Sequence, residues 1–265
     1  MKKMIPQVLR HGLGAAVLAS LTVCGIPAYG ATAHESAPRG GAMVATAHEV
    51  RPGTVVRDDL RAVFDAAKVQ GTFALLDVSS RKVTVVDRRR AEKPMVPASS
   101  FKVPHALVAL QTGVIKSPDE VIPWDGTPQP FPEWEKDMSV REAVRVSNAA
   151  AFQVIARRIG LQRERQWLHR LNYGNRQTGT VVDRFWLDGP LKISAVEQTR
   201  FMERLAALRL PAEREHQRTV HELIKQEEKN GYALYAKSGW QNTPVPARAG
   251  GPGGSNAADA CTRSR

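Results

Sequence analysis

Residues 97–104 read Pro97-Ala98-Ser99-Ser100-Phe101-Lys102-Val103-Pro104, and towards the other end the chain reads Lys237-Ser238-Gly239-Trp240. Ser99 and Lys102 open an apolar stretch, residues 99–113, whose spacing predicts a helix. One helical turn brings positions i and i+3 onto the same face, so the Lys102 amine can lie beside the Ser99 oxygen. A serine at a helix start also faces the positive end of the dipole, which favours a developing oxyanion. An unprotonated or modified lysine there can take the serine proton. The same spacing at Ser79 and Lys82 falls in a hairpin turn and is incidental. Lys237, Ser238 and Gly239 follow a short strand, residues 232–236. Such an edge suits an extended, amide-like anion, because Lys and a hydroxyl bind it and Gly lets it approach closely.

Between these two stretches the pattern is mostly helical. Helices are predicted over residues 139–160, 163–171, 195–208 and 211–230, with Pro- and Gly-rich gaps such as 123–132. Ahead of Ser99, residues 60–67 show helical spacing. Two β-rich runs, 72–78 and 82–87, joined by Ser79-Ser80-Arg81, read as a hairpin. A small antiparallel sheet bracketing a helical lobe gives an α/β fold of the α+β type rather than alternating βαβ units. Its domain spans residues 54–240.

The 265 residues carry 38 Lys and Arg against 26 Asp and Glu, a net charge of +12, with 42% hydrophobic residues. That composition excludes a disordered, collagenous or coiled-coil chain. The positive excess would suit nucleic acid or an anionic surface, but no nucleic-acid motif accompanies it. Lys2, Lys3 and Arg10 precede an apolar run, residues 13–23, and Ala28 and Gly30 sit at −3 and −1 of a small-residue cleavage site. Residues 1–30 therefore read as a signal peptide, and the protein as periplasmic or secreted, with no membrane span. Residues 31–53 read as a loose leader. Cys24 leaves with the signal and Cys261 remains alone, so no internal disulfide is expected. The seven histidines show no metal-ligand spacing and read as surface residues. Residues 241–265 hold Val245 as their one large aliphatic and a Gly-Gly-Pro-Gly-Gly run, and read as a disordered tail.

The paired motifs, with Trp124-Asp125-Gly126, Ser147-Asn148-Ala149, Tyr173-Gly174-Asn175, Phe185-Trp186-Leu187-Asp188-Gly189 and Lys192-Ile193-Ser194-Ala195 in order between them, resemble the class D β-lactamases, a family of penicillin-recognising serine hydrolases. The resemblance implies that Ser99 is the nucleophile acylated by a β-lactam. It implies that Lys102 carries CO2 as a carbamate and acts as general base, with no metal. Phe152 and Leu187 would line its pocket, beside Ala149. Trp186 would donate its indole N–H to the carbamate, and Ser147 would pass a proton to the leaving nitrogen. Lys237, Ser238 and Gly239 would bind the substrate carboxylate edge, and backbone N–H groups of Ser99 and Trp240 would form the oxyanion hole. Taken alone, Trp186 and Phe152 read more readily as core than as site, and Tyr173-Gly174-Asn175 fits a turn equally well.

Ser100 and Ser238 stand where the family usually has Thr, and Ala149 where it has Val. After Trp240 the family continues with two strands and a closing helix, whereas residues 241–265 resemble none of these. The bridging strands would then be missing, the edge of residues 232–236 left open, and the protein poorly folded and weakly active. Two other readings share part of the pattern: a penicillin-binding or sensor domain acylated at Ser99 without turnover, and a basic nucleic-acid or envelope-binding protein. The implied partner is a small-molecule β-lactam; the sequence does not give the oligomeric state.

Overall fold

The computed structural model describes residues 53–241 and, outside them, the strands at 15–16, 19–24, 255–257 and 259–264. Strands β1 (Ala15–Ala16), β2 (Ala19–Cys24) and β3 (Thr54–Val56) come first, followed by helix α1 (Arg61–Ala66) and the hairpin β4 (Phe73–Asp77) and β5 (Lys82–Val86). The hairpin turn is held by Asp77, whose carboxylate accepts from both hydroxyls and both backbone N–H groups of Ser79 and Ser80. Four donors on one carboxylate hold its pKa down to about 2.

After α2 (Arg88–Ala91) comes the helix that organises the lobe, α3 (Lys102–Gln111). Every residue from Lys102 to Leu110 is buried, so α3 has no solvent face and forms the axis around which the other helices pack. The small ribbon β6 (Val121–Ile122) and β7 (Met138–Ser139) leads to α4 (Val140–Arg145), α5 (Ala149–Ile159) and α6 (Leu161–Leu171). Leu107, Phe152, Ile155, Leu168, Leu171 and Phe201 join Phe101 in one large apolar core. Helix α7 (Ala195–Ala206) starts at a capping box in which Ser194 and Glu197 satisfy each other's backbone N–H groups. It lies across the sheet, and α8 (Arg214–Ile224) packs on α3 and α4.

The second hairpin is β8 (Lys225–Lys229) with β9 (Tyr232–Lys237), followed by β10 (Trp240–Gln241), β11 (Ser255–Ala257) and β12 (Asp259–Ser264). The main sheet has the order β3-β5-β4-β2-β12-β9-β8. It is mixed, not antiparallel throughout: β2 runs parallel to both β4 and β12, and β3 parallel to β5.

The structure corrects four expectations. Residues 139–160 do not form one helix, because Ser147 adopts a left-handed φ of 60°. The Asn148 side chain then accepts from Ala151 N and starts α5 afresh. Residues 225–229 are strand, not helix: Lys225-Gln226-Glu227-Glu228-Lys229 favours helix locally. However, Asn230-Gly231 turns with φ of 50° and 74°, the mirror-image turn that closes a two-residue hairpin. The edge of β9 is not left open, and residues 241–265 are not wholly without regular structure. Strand β12 pairs with β9 and β2 pairs with β4, so two terminal segments stand where a gap was expected. Backbone N–H and C=O groups of a sheet edge need partners whatever side chains supply them, and any extended segment can provide them. Finally, His105 is fully buried, not a surface residue. Strands β1 and β2 fall within residues 1–30, and the rest of the expected signal peptide, all of the expected leader but Gly53, and most of the expected tail lie outside the described residues.

Candidate functional site

The site forms where three elements converge: the turn entering α3, the break between α4 and α5, and the end of β9. Ser99 sits in a 3-10 turn, Ala98–Phe101, that feeds directly into α3. Ala98 enters it with a φ of 48° and its N–H donates to the Trp186 carbonyl at 2.9 Å. Ser100 turns its hydroxyl inward onto the Pro97 carbonyl, 2.7 Å away, which leaves Ser99 as the half-buried hydroxyl of the pair. Strained backbone immediately before a nucleophile is where a protein aims a side chain, provided its surroundings over-determine it.

Lys102 Nζ lies 2.8 Å from Ser99 Oγ, as the helical spacing predicts. The lysine is buried, with its nitrogen 5.3 Å from the centre of the Phe152 ring. Burial, assisted by the nearby positive charge of Lys237, pushes its pKa well below the ordinary lysine value. An ammonium so placed loses its hydration without gaining a carboxylate, so the neutral amine is favoured. Its lone pair is then available to a proton donor or to an electrophile.

The second pair faces the first. Ser147 Oγ accepts from Lys237 Nζ at 2.9 Å, and Lys237 also donates to the Ser238 carbonyl at 3.0 Å. The left-handed backbone at Ser147 is what turns its side chain away from the helix line, and the Asn148 cap holds that turn. Ser238 is exposed, Gly239 buried, and Trp240 exposed on β10, which packs against the Ser99 turn.

Around the lysine the wall is aromatic. Trp186 is buried and stacks on Phe101 at 5.7 Å, and its indole Nε1 has no hydrogen-bond partner. Phe152 is buried, while Leu187 and Ala149 are partly exposed at the rim. Asn175 does not reach the lysine; its side chain bridges Lys192 N and the Pro190 carbonyl and fixes the loop behind Trp186. Gly174 is required there, because a Cβ would stand 2.1 Å from the Lys192 carbonyl oxygen. The structure thus brings together Ser99, Lys102 and Phe152, with Lys237 and Ser147 paired nearby. Trp186 packs on Phe101 with its carbonyl on Ala98 N, Ser238, Gly239 and Trp240 follow Lys237, and among the described residues no contact joins Ala149 or Leu187 to the lysine. Trp124, Asp125 and Gly126 take no part: Trp124 and Asp125 line a separate cavity with Trp134, Asn148 and Arg157.

Two buried polar residues at this site escaped the sequence reading. His105, one turn beyond Lys102, and Glu164 on α6 are both fully buried, with Nε2 and Oε1 2.7 Å apart. A signal was present in the sequence: His105 lies at i+3 from Lys102 on a helix apolar on every side. Among the described residues no cluster of three or more His, Cys, Asp or Glu side chains could hold a metal ion.

The family model of the penicillin binding protein transpeptidase domain matches residues 65–256. The chain is 39% identical over 187 residues to β-lactamase OXA-10 of Pseudomonas aeruginosa, covering 71% of this chain and 70% of that one. The crystal structure of FUS-1 (OXA-85), a class D β-lactamase from Fusobacterium nucleatum subsp. polymorphum, superposes with a TM-score of 0.70 at 34% identity, over 72% of this chain and 80% of that one. A class D β-lactamase from Bacillus subtilis gives a TM-score of 0.64 at 38% identity, over 67% and 75%. With the family model matched over most of its length and a curated relative 39% identical, the chain belongs to the class D β-lactamase family.

Proposed function

We propose that the protein is a serine β-lactamase that opens the β-lactam amide through an acyl-Ser99 intermediate. The observation that carries this reading is the 2.8 Å contact between Ser99 Oγ and a buried, depressed-pKa Lys102. Neutral Lys102 takes the Ser99 proton as Oγ attacks the lactam carbonyl. As the C–N bond breaks, the departing nitrogen needs a proton; Ser147, hydrogen-bonded to Lys237, relays it, and the proton that Lys102 took from Ser99 makes good the loss, leaving Lys102 neutral again. Lys237 and the exposed Ser238 hydroxyl supply the charge and donor for the substrate carboxylate, and backbone N–H groups at Ser99 and Trp240 serve the oxyanion. In the second half a water attacks the acyl carbonyl and gives its proton to the Lys102 base, and the ester breaks as Ser99 Oγ takes that proton back.

The pocket also suits CO2 on Lys102. The amine is neutral, the wall is apolar, and Trp186 Nε1 is a buried donor without an acceptor, which an added carboxylate would satisfy. Bound there, CO2 supplies an oxygen base in place of the amine. Residues 1–30 are proposed to direct export, which would place the enzyme outside the cytoplasm, where β-lactams meet their targets. Among the described residues no helix is long and apolar enough to cross a membrane.

The test is incubation of the purified protein with benzylpenicillin, following both protein and drug by mass. Catalytic formation of a product heavier by one water, lost in Ser99→Ala, is the expected result. A stable one-to-one adduct without product would instead identify a penicillin-binding or sensor domain.

A further inference from the structure

His105 and Glu164 pose a problem that the reaction does not solve. Both are fully buried, on α3 and α6, and their closest atoms are 2.7 Å apart. The contact is close enough for an ion pair when the imidazole is protonated, yet it lacks hydrogen-bond alignment, and His105 Nδ1 and Glu164 Oε2 have no partner. Two apolar side chains of the same volume would be as stable or more so, since desolvating such a pair offsets most of its attraction. Stability alone therefore does not account for the pair.

Its surroundings do. The His105 ring meets Trp186 edge-on at 4.9 Å, Phe152 at 5.5 Å and Phe101 at 5.1 Å. Phe152 is the ring over Lys102 Nζ, and Trp186 carries the unpartnered indole N–H. The imidazole is thus wedged between Trp186 and Phe152, the ring over the lysine nitrogen, and Glu164 ties its far edge to another helix.

We propose that the His105–Glu164 pair is a positioning device for the Lys102 pocket, holding Phe152 and Trp186 where they favour uptake of CO2 by the lysine. This rests on the carboxylated-lysine reading above. In that uptake the amine nitrogen forms a bond to the carbon of dissolved CO2, a C=O electron pair moves onto oxygen, and the nitrogen releases one proton to solvent. A wedge that drifts lets water reach the amine or withdraws the indole donor, and either change weakens the adduct without touching it.

The experiment is titration of the protein with 13C-bicarbonate, read as the 13C NMR signal of the lysine adduct, alongside thermal melts. Wild type is compared with Glu164→Gln and with the double variant His105→Phe/Glu164→Leu, whose apolar replacement preserves folding even if the single variant does not. Both variants are expected to need about tenfold more CO2 for half-saturation, the scale on which outer partners tune a bound group. The double variant is expected to melt no lower than wild type. Half-saturation within twofold of wild type in a folded variant would overturn the proposal and leave the lactamase reading intact. No labelled adduct in wild type, with Ser99 still acylated by benzylpenicillin, would overturn both this proposal and the carboxylated lysine.

Discussion

The helical lobe and the sheet are built on different scales. Around α3 the lobe packs a continuous core that includes Phe101, Leu107, Phe152, Ile155, Trp186 and Phe201. Among the described residues the sheet side has a separate cluster of Ala74, Leu76, Val83, Val85, Ala91 and Val196. On its outer flank α1 buries no residue, and Val55, Val56, Leu60 and Val63 lie exposed. Between β4 and β9 the sheet is completed by strands from the two ends of the chain. The nucleophile and its lysine belong to the lobe, while Lys237 sits at the end of a strand whose neighbour is β12. Half of the site is therefore fixed by the lobe's own packing, and half depends on the sheet remaining closed.

The largest effect should come from Lys102→Met. Acylation by benzylpenicillin should slow by about 10²–10⁴-fold, the range for loss of a general base. The same variant should melt higher, by about 0.5–2 kcal/mol of stability, because a buried amine is replaced by an apolar chain. A variant that lost activity and stability together would show that Lys102 holds the lobe rather than serving the reaction.

Phe152→Ala, in the lobe core, should destabilise by about 3–5 kcal/mol, whereas Val63→Ala on the exposed flank should change stability by less than about 0.5 kcal/mol. Similar losses in denaturant unfolding at the two positions would erase the distinction between the regions.

Removal of residues 255–264 should separate them further. Hydrogen exchange at β9 amides should quicken, while α3 and α5 keep their protection. Benzylpenicillin binding should weaken through Lys237. Equal loosening of lobe and sheet would mean that they unfold as one unit. Because β2 lies within the expected signal peptide, a chain beginning at residue 31 should show faster exchange at Phe73–Asp77 as well.

Asn148→Ala gives the smallest site effect. Losing the cap on α5 should cost about 1 kcal/mol. It should also lower the rate more than it lowers affinity, since the cap holds the turn that presents Ser147.

Much of this was legible in the sequence. Ser99 and Lys102 are joined by a helical spacing, and the β4–β5 hairpin by a turn whose residues declare themselves. What stayed hidden had local as well as distant causes. Residues 225–229 favour helix and become strand because β9 lies opposite. The fault at Ser147 interrupts a run with helical periodicity, and periodicity does not register one left-handed residue. Placing Ser147 beside Lys237 needs the fold, since ninety positions separate them. His105 reads as a surface residue in the sequence because its partner Glu164 lies on another helix. The closing strands have no recognisable sequence signature, since backbone pairing requires none.

The central claim is that burial keeps Lys102 unprotonated and able to take the Ser99 proton. The most direct test is the pH dependence of the acylation rate at Ser99, read by rapid-quench intact mass with benzylpenicillin. A base whose folded pKa is depressed stays active far below the ordinary lysine range and fails only as pH falls through that lowered value. Acylation should persist well below the ordinary lysine range, with a single-proton loss on the acid side that is absent from the residual rate of Lys102→Met. A rate that rises only near pH 10, where an ordinary lysine loses its proton, would contradict it.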